Sequence, residues 1–394
     1  MNTTACFPSK PLEDLPPETL TNVLSYLKRK ERFTASIVSH QFNDIIRHNI
    51  GFERIILNAS EDCRVLKGSP LLKNTRIICY RRKGEILTYS DIEMACLAGV
   101  HTIYCSHFTT NANIRALVKT GTTIHKISLR NSGISDISLK ALKSVHTINI
   151  DGCSNINEKG IKELSNVHKI IISKVCKGWL KHFCNTHSVS IRNNEIVDDE
   201  IRHLTNVKHL GLHRALRVSD SSLQQLVGLK KLILFDNGSI TDSCLKHLTN
   251  LQHLKLAFCR NITGSCFKHL VNLKHLIIKN STIKGENIRH LSTIDYLHIE
   301  NYFSKTYEGL SYLPNLKHLT LGLCYITDAG MNQLVNLERL NILIGSKLTM
   351  GCLKHLTSLV YLNIHSQLSD KFNKKDVEDL GITFMTEDEH ISEV

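Results

Sequence analysis

Aromatic residues are scarce in this chain, and much is excluded by that alone. Phe, Trp and Tyr make up 6% of the sequence, and Trp179 is the only tryptophan. A core must therefore be filled by Leu, Ile and Val, as in stacked repeats. The aromatic platforms on which proteins stack single-stranded nucleic acid are not expected. No apolar run approaches the ~18 residues of a membrane-spanning helix. The opening MNTTACFPSKPLEDLPPE has no positive segment leading into an apolar one, so no secretory signal is expected. Acids are in deficit too: 36 Asp and Glu stand against 49 Lys and Arg, a net charge of +13 with histidine neutral. That excess favours an acidic partner. The 13 cysteines then belong to a reducing compartment, cytoplasm or nucleus, where disulfides are rare.

Catalytic signatures are missing as well. There is no phosphate-binding glycine loop, dinucleotide fingerprint, HExxH or glycine-flanked nucleophile, so neither enzyme chemistry nor a cofactor is expected. Cys176, His182, Cys184 and His187, within CKGWLKHFCNTH, are the densest set of metal-ligand types. They lack the two paired knuckles of a zinc site. Aligning Asn185 with Asn250 puts Phe183 on Leu248 and Trp179 on Cys244, so the segment is expected to be a shortened repeat that holds no metal.

What the chain has in abundance is a repeat. A six-residue block with an aliphatic residue at its first, fourth and sixth places recurs through VKHLGL, LKKLIL, LQHLKL, LKHLII, IDYLHI, LKHLTL, LERLNI and LVYLNI. These blocks begin at Val207, Leu229, Leu251, Leu273, Ile294, Leu316, Leu337 and Leu359, and successive starts differ by 22, 22, 22, 21, 22, 21 and 22. Looser copies start at Ile124, Val145, Val167 and Thr186, with further ones at Val100, Asn74 and Phe52. After each block comes a polar turn and then a hydroxyl–acid pair ahead of spaced apolar residues, as in Ile240-Thr241-Asp242 followed by Leu245 and Leu248. A hydroxyl there can accept from an orphan N–H, and the acid suits a positive helix end. Each unit is thus predicted to be a strand of three or four residues, a turn, and a short helix or 3₁₀ segment.

This pattern resembles the leucine-rich repeat. The resemblance implies an α/β solenoid, a horseshoe lined by a parallel sheet. Cys153, Cys259 and Cys324, just after their strands, resemble the cysteine-containing subtype, while Cys244, Cys266 and Cys352 share one helix position and read as small buried residues.

The first fifty residues differ. Pro16-Pro17-Glu18 makes a good helix opening. Leu20, Val23, Leu24 and Leu27 follow as an apolar stripe, and a second stripe runs through Phe33, Ile37, Val38, Phe42, Ile45 and Ile46. So short a module is a poor independent core and gains from docking on something else. Leu15-Pro16, Leu20, Val23, Leu24, Leu27, Val38 and Phe42 resemble the F-box, with Phe42 where that family commonly has tryptophan. The resemblance implies that these residues bind a Skp1-type adaptor and, through it, a cullin ligase core. The other reading is a helical cap sealing the first repeat. The expected organisation is an F-box-like module over 10–50, a solenoid over 51–385 (irregular to about 123, regular from 124) and an acidic tail over 386–394.

By the two-residue alternation of a strand, places four and six of a block point into the core, and places three, five and the following residue face the concave sheet. Those outward places carry Lys126, Arg130, Lys169, Arg192, His209, Lys231, His253, Lys255, His275, Lys279, His318 and Arg339. They are expected to receive an acidic or phosphorylated segment of a target protein through Lys, Arg and protonated His. The expected function is target recognition in a Skp1–cullin–F-box ubiquitin ligase. The alternative is a non-catalytic interaction scaffold or inhibitor whose first helices only cap the array. Membrane association is not expected, and only net charge favours nucleic acid.

Overall fold

The structure is a computed structural model that describes residues 54–57, 77–80 and 102–386, apart from 106, 108, 120, 122–123, 301–307, 324–325 and 344–346. The F-box-like module expected over 10–50, with every adaptor-binding residue named for it, lies outside the described residues, as do the tail from 387 and Cys324. The chain forms two compact units, 1–167 and 168–394.

The first unit carries five parallel strands: β1 (Arg54–Leu57), β2 (Ile77–Tyr80), β3 (Thr102–Tyr104), β4 (Lys126–Ser128) and β5 (Thr147–Asn149), each paired with the next. Helices α1 (Asn111–Lys119), α2 (Asp136–Ala141) and α3 (Glu158–Lys162) complete its repeats. The register corrects one block. Ile77, not Arg76, sits opposite Thr102, so the block read from Asn74 begins at Thr75.

The second unit continues the pattern with eleven parallel strands. They are β6 (Lys169–Ile172), β7 (Ser188–Arg192), β8 (His209–His213), β9 (Lys231–Phe235), β10 (His253–Ala257), β11 (His275–Lys279), β12 (Tyr296–Glu300), β13 (His318–Gly322), β14 (Arg339–Ile342), β15 (Tyr361–Ile364) and β16 (Thr383–Thr386). Each pairs in parallel with its sequence neighbour. Strands β7 to β13 have five residues, longer than predicted, because the residue after the block joins the ladder. Thr386, assigned to the tail from sequence, ends β16.

The alternation explains the core. Leu251, Leu254 and Leu256 are at most 2% exposed, and their counterparts recur in the neighbouring units. In register, Leu232, Leu254, Leu276, Leu297 and Leu319 form one aliphatic ladder. Burying each such side chain stabilises by roughly 2 kcal/mol.

Three polar ladders join consecutive repeats. The first uses the acid of the hydroxyl–acid pair. Thr241 accepts from the Ser243 N–H at 3.1 Å, as a helix-capping hydroxyl does. The acid does more than suit its own helix. Asp242 reaches the next unit and accepts from the N–H groups of Thr263, Gly264 and Cys266 at 2.8, 3.0 and 3.2 Å. Asp198 does the same for Ser219, Asp220 for Thr241, and Asp328 for Thr349. The second ladder is the Asn that precedes several blocks: Asn250, Asn272, Asn315 and Asn336 each donate to a carbonyl one repeat back, that of Val227, Thr249, Ser292 and Pro314.

The third lies at the strand ends. Arg214, Asp236, Phe258 and Asn280 have φ of 58°, 54°, 57° and 45°, a left-handed turn in side-chain-bearing residues. Each N–H donates to a carbonyl of the next strand, at Phe235, Ala257, Lys279 and Glu300. Left-handed backbone costs a non-glycine residue roughly 1–2 kcal/mol, offset here by closing the ladder.

A candidate partner-binding face

Every outward place expected from the alternation is at least partly exposed where it carries a long side chain. On β9, Lys231, Ile233 and Phe235 face out while Leu232 and Leu234 are buried. Pairing aligns these places into rows. One row runs His209, Lys231, His253, His275, Tyr296, His318 and Arg339. A second runs Gly211, Ile233, Lys255, Ile277 and His298, and a third His213, Phe235, Ala257, Lys279 and Glu300. Lys169 heads the first row by pairing with Ser188, and Arg192 sits in the third opposite His213.

The expected cations are not equivalent. Lys279 is engaged by Glu300 at 2.5 Å, which also holds the Glu300 carboxyl below its ordinary range. In the first unit Arg130 lies 3.2 Å from Asp151, and Lys126 donates to the Tyr104 hydroxyl at 2.8 Å with its ammonium 5.1 Å from that ring. Arg339 lies over the Tyr361 ring. Lys169, Lys231 and Lys255 have no carboxylate partner among the described residues, so their charge is available.

Two of the expected histidines are harder to protonate than a free imidazole. Partial burial, then the neighbouring cations and imidazoles, hold His209 and His253 below the ordinary value of 6.5. His298, more deeply placed, is lowered by burial and by Lys279. His253 stacks on His275 with ring centres 4.5 Å apart. Near neutral pH, His209 and His253 act as neutral donors or acceptors, and the lysines supply the charge.

Around them the sheet dips. A depression of about 370 Å³ is lined by Lys231, Ile233, His253, Lys255, His275, Ile277 and Tyr296. Lys231, His253, Lys255 and His275 were all expected from the outward places, and the structure gathers them into one concavity. A second, wider hollow of about 920 Å³ lies at the strand ends among Arg192, Asn193, His213, Arg214, Leu216 and Phe235. Neither Phe235 nor Phe258 is among the residues expected on this face. Yet Phe235 and Phe258 meet edge to face at 5.4 Å, 37% and 41% exposed. The signal was there: Phe258 stands one residue beyond the outward place, where the turn projects its side chain.

The remaining candidates are structural. Trp179 and Phe183 are buried in the segment around the 3₁₀ turn Leu180–Phe183, Cys176 is exposed, and no group of metal-ligating side chains forms among the described residues. Cys153 and Cys259 are buried beside carbonyls of the preceding repeat, Leu129 and Leu234. Burial pushes the Cys259 thiol up to about 11 and that of Cys352 to about 12, and raises Cys244 and Cys266 further, so none of these four is a nucleophile near neutral pH. No described helix is long and apolar enough to cross a membrane.

Comparison with known proteins places both halves of the pattern. Residues 12–53 match the family model of the F-box domain. No curated protein matches the chain. Among solved structures, Rad7 from the yeast Rad7–Elc1 complex is similar at a TM-score of 0.52 and 15% identity, with 86% of each chain covered. TLR13, from a complex with ssRNA13, is similar at 0.50 and 16% identity, with 85% of this chain and 60% of that one covered. An internalin of Listeria monocytogenes, InlF, gives 0.44 at 16% identity, covering 88% of this chain and 93% of that one. The repeats have the leucine-rich-repeat fold, and an F-box domain precedes them.

Proposed function

We propose that this chain, an F-box domain followed by leucine-rich repeats, is the target-recognition subunit of a Skp1–cullin–F-box ubiquitin ligase. The carrying observation is the order of the parts: an adaptor-docking motif over 12–53 leads into an array with an exposed cationic face. Ligation chemistry then takes place on other subunits, and this one supplies proximity. Leu15, Pro16, Leu20, Val23, Leu24, Leu27, Val38 and Phe42 are the proposed adaptor contacts. Rad7, a neighbour in fold, was solved in a complex with Elc1, which supports reading such an array as one member of an assembly. The proposed compartment is the cytoplasm or nucleus.

The target, in this reading, is an acidic or phosphorylated protein segment held on the sheet face of the second unit. Of the residues expected there, Lys169, Lys231 and Lys255 have no described counter-ion, and the depression that Lys231 and Lys255 line offers His253 and His275 as further polar partners. Co-purification with Skp1 tests the first half. The wild-type chain retains Skp1 and the Leu15→Ala/Pro16→Ala variant loses it; a wild type that retains none removes the ligase reading and leaves the interaction scaffold. Reversing Lys169, Lys231 and Lys255 to Glu tests the second half, with target capture expected to fall at least tenfold.

A further inference from the structure

Two features of the second unit share the same strands. One is the cationic depression, in which Lys231 and Lys255 occupy neighbouring strands. The other is the aromatic ledge of Phe235 and Phe258, more than a third exposed in both rings. Large exposed apolar side chains that meet at a rim of polar groups mark interaction sites. Phe258 also carries its ring on left-handed backbone, where glycine would sit without cost.

Lys231 and Phe235 lie on one strand and face the same way, with Ile233 between them. Four residues at about 3.3 Å each set the two ends roughly 13 Å apart. We infer that the two features form one bipartite docking site, occupied by an extended segment of the target protein that runs along the strands. A phosphorylated side chain of that segment sits between Lys231 and Lys255, and a large apolar side chain three to four residues away packs on Phe235 and Phe258. The inference rests on the basic-face reading above and adds its second anchor and their spacing.

Charge selects the phosphate. Two ammonium groups without described counter-ions balance a phosphate of charge near −2, and its three oxygens can use imidazole N–H donors as well. A monoanionic carboxylate leaves one lysine uncompensated. A nucleic-acid strand fits less well, because its evenly spaced phosphates would meet Asp295 and Glu300 on the adjacent strand segments.

The test is a spacing scan with the full chain. Fluorescent Gly/Ser peptides carry one phosphothreonine and one phenylalanine separated by one to seven residues, in both orders. Affinity is expected to peak at three to four residues in one order, about tenfold above the ends of the scan, the scale of one well-buried aromatic contact. Phe258→Ala should flatten the peak while leaving the melting transition in place, and Lys231→Glu should weaken every peptide. A profile flat in spacing that still responds to Lys231→Glu overturns the aromatic anchor and spares the basic face. Binding that ignores Lys231→Glu, or no binding, overturns both. Glutamate serving as well as phosphothreonine overturns the phosphate, and tighter binding of a single-stranded RNA oligonucleotide than of the best peptide overturns the protein occupant.

Discussion

Asn237 has no exposed surface, yet both ends of its amide are engaged. Its carbonyl accepts from the Ala215 N–H and its NH₂ donates to the Leu212 carbonyl, each at 2.8 Å. Asn237→Ala leaves the buried Ala215 N–H without this partner, at about 1–3 kcal/mol, and takes one of its donors from the Leu212 carbonyl. Urea unfolding should show a loss of about 2 kcal/mol or more, and an unchanged midpoint would contradict this account. The aspartate ladder gives a pH dependence. Burial alone would raise the carboxyls of Asp198 and Asp242, but hydrogen bonds from the next repeat outweigh it and hold both below their ordinary 3.8. A depressed carboxyl stabilises the fold above its unfolded value, and that contribution is lost as pH falls through the folded one. Thermal stability should therefore drop below about pH 4, and Asp242→Asn should lower stability at pH 7 while flattening the acid limb. That the acid sits at the helix start was legible in the sequence. That it serves the helix of the following repeat was not, because a single period carries no sign of which neighbour it addresses.

At the scale of the element, the strand and its turn trade regularity against strain. The block pattern announced each strand from β6 to β15 and its inward residues, since a parallel ladder repeats the same alternation at every step. The left-handed corner was not announced. Sequence signals for such a turn are Gly, Asn and Asp; Asn280 and Asp236 carry one, but Arg214 and Phe258 carry none. Tertiary pairing overrides local preference there: each corner N–H finds a carbonyl on the neighbouring strand. Replacing Phe258 by Gly relieves about 1 kcal/mol of backbone strain. That relief offsets the lost contact with Phe235, so Phe258→Gly should melt close to wild type while capture of target peptide falls. Equal binding by the two proteins would show that the exposed ring serves no partner.

For the molecule as a whole, stability is close to a sum over repeats and the contacts between neighbours. Excision of residues 337–358 removes one period of 22 residues and joins Asn336 directly to Leu359, so the block that follows gains an asparagine in place of Ser358. The shortened chain should keep its β-sheet circular dichroism and a cooperative, lower melting transition. Removing about half a period from the same place puts outward residues in the core and should abolish the transition. The repeat fold was legible over the described residues. Its division into units at Val167 and His168 was not, because the boundary falls inside the block VHKIII, and the blocks before and after it, VHTINI and THSVSI, keep the same alternation. Which lysines stay uncompensated also escaped the sequence, since Glu300 reaches Lys279 only once β11 and β12 are paired.

The stacked imidazoles of the sheet have a consequence for acidified surroundings. His187, His209 and His253 are all harder to protonate than free histidine, and each has another imidazole among the causes. A proton taken up by one ring disfavours uptake by the next, so the surface fills with charge late and in small steps. Its grip on an anion should therefore tighten step by step as these three rings take up protons below the ordinary histidine value.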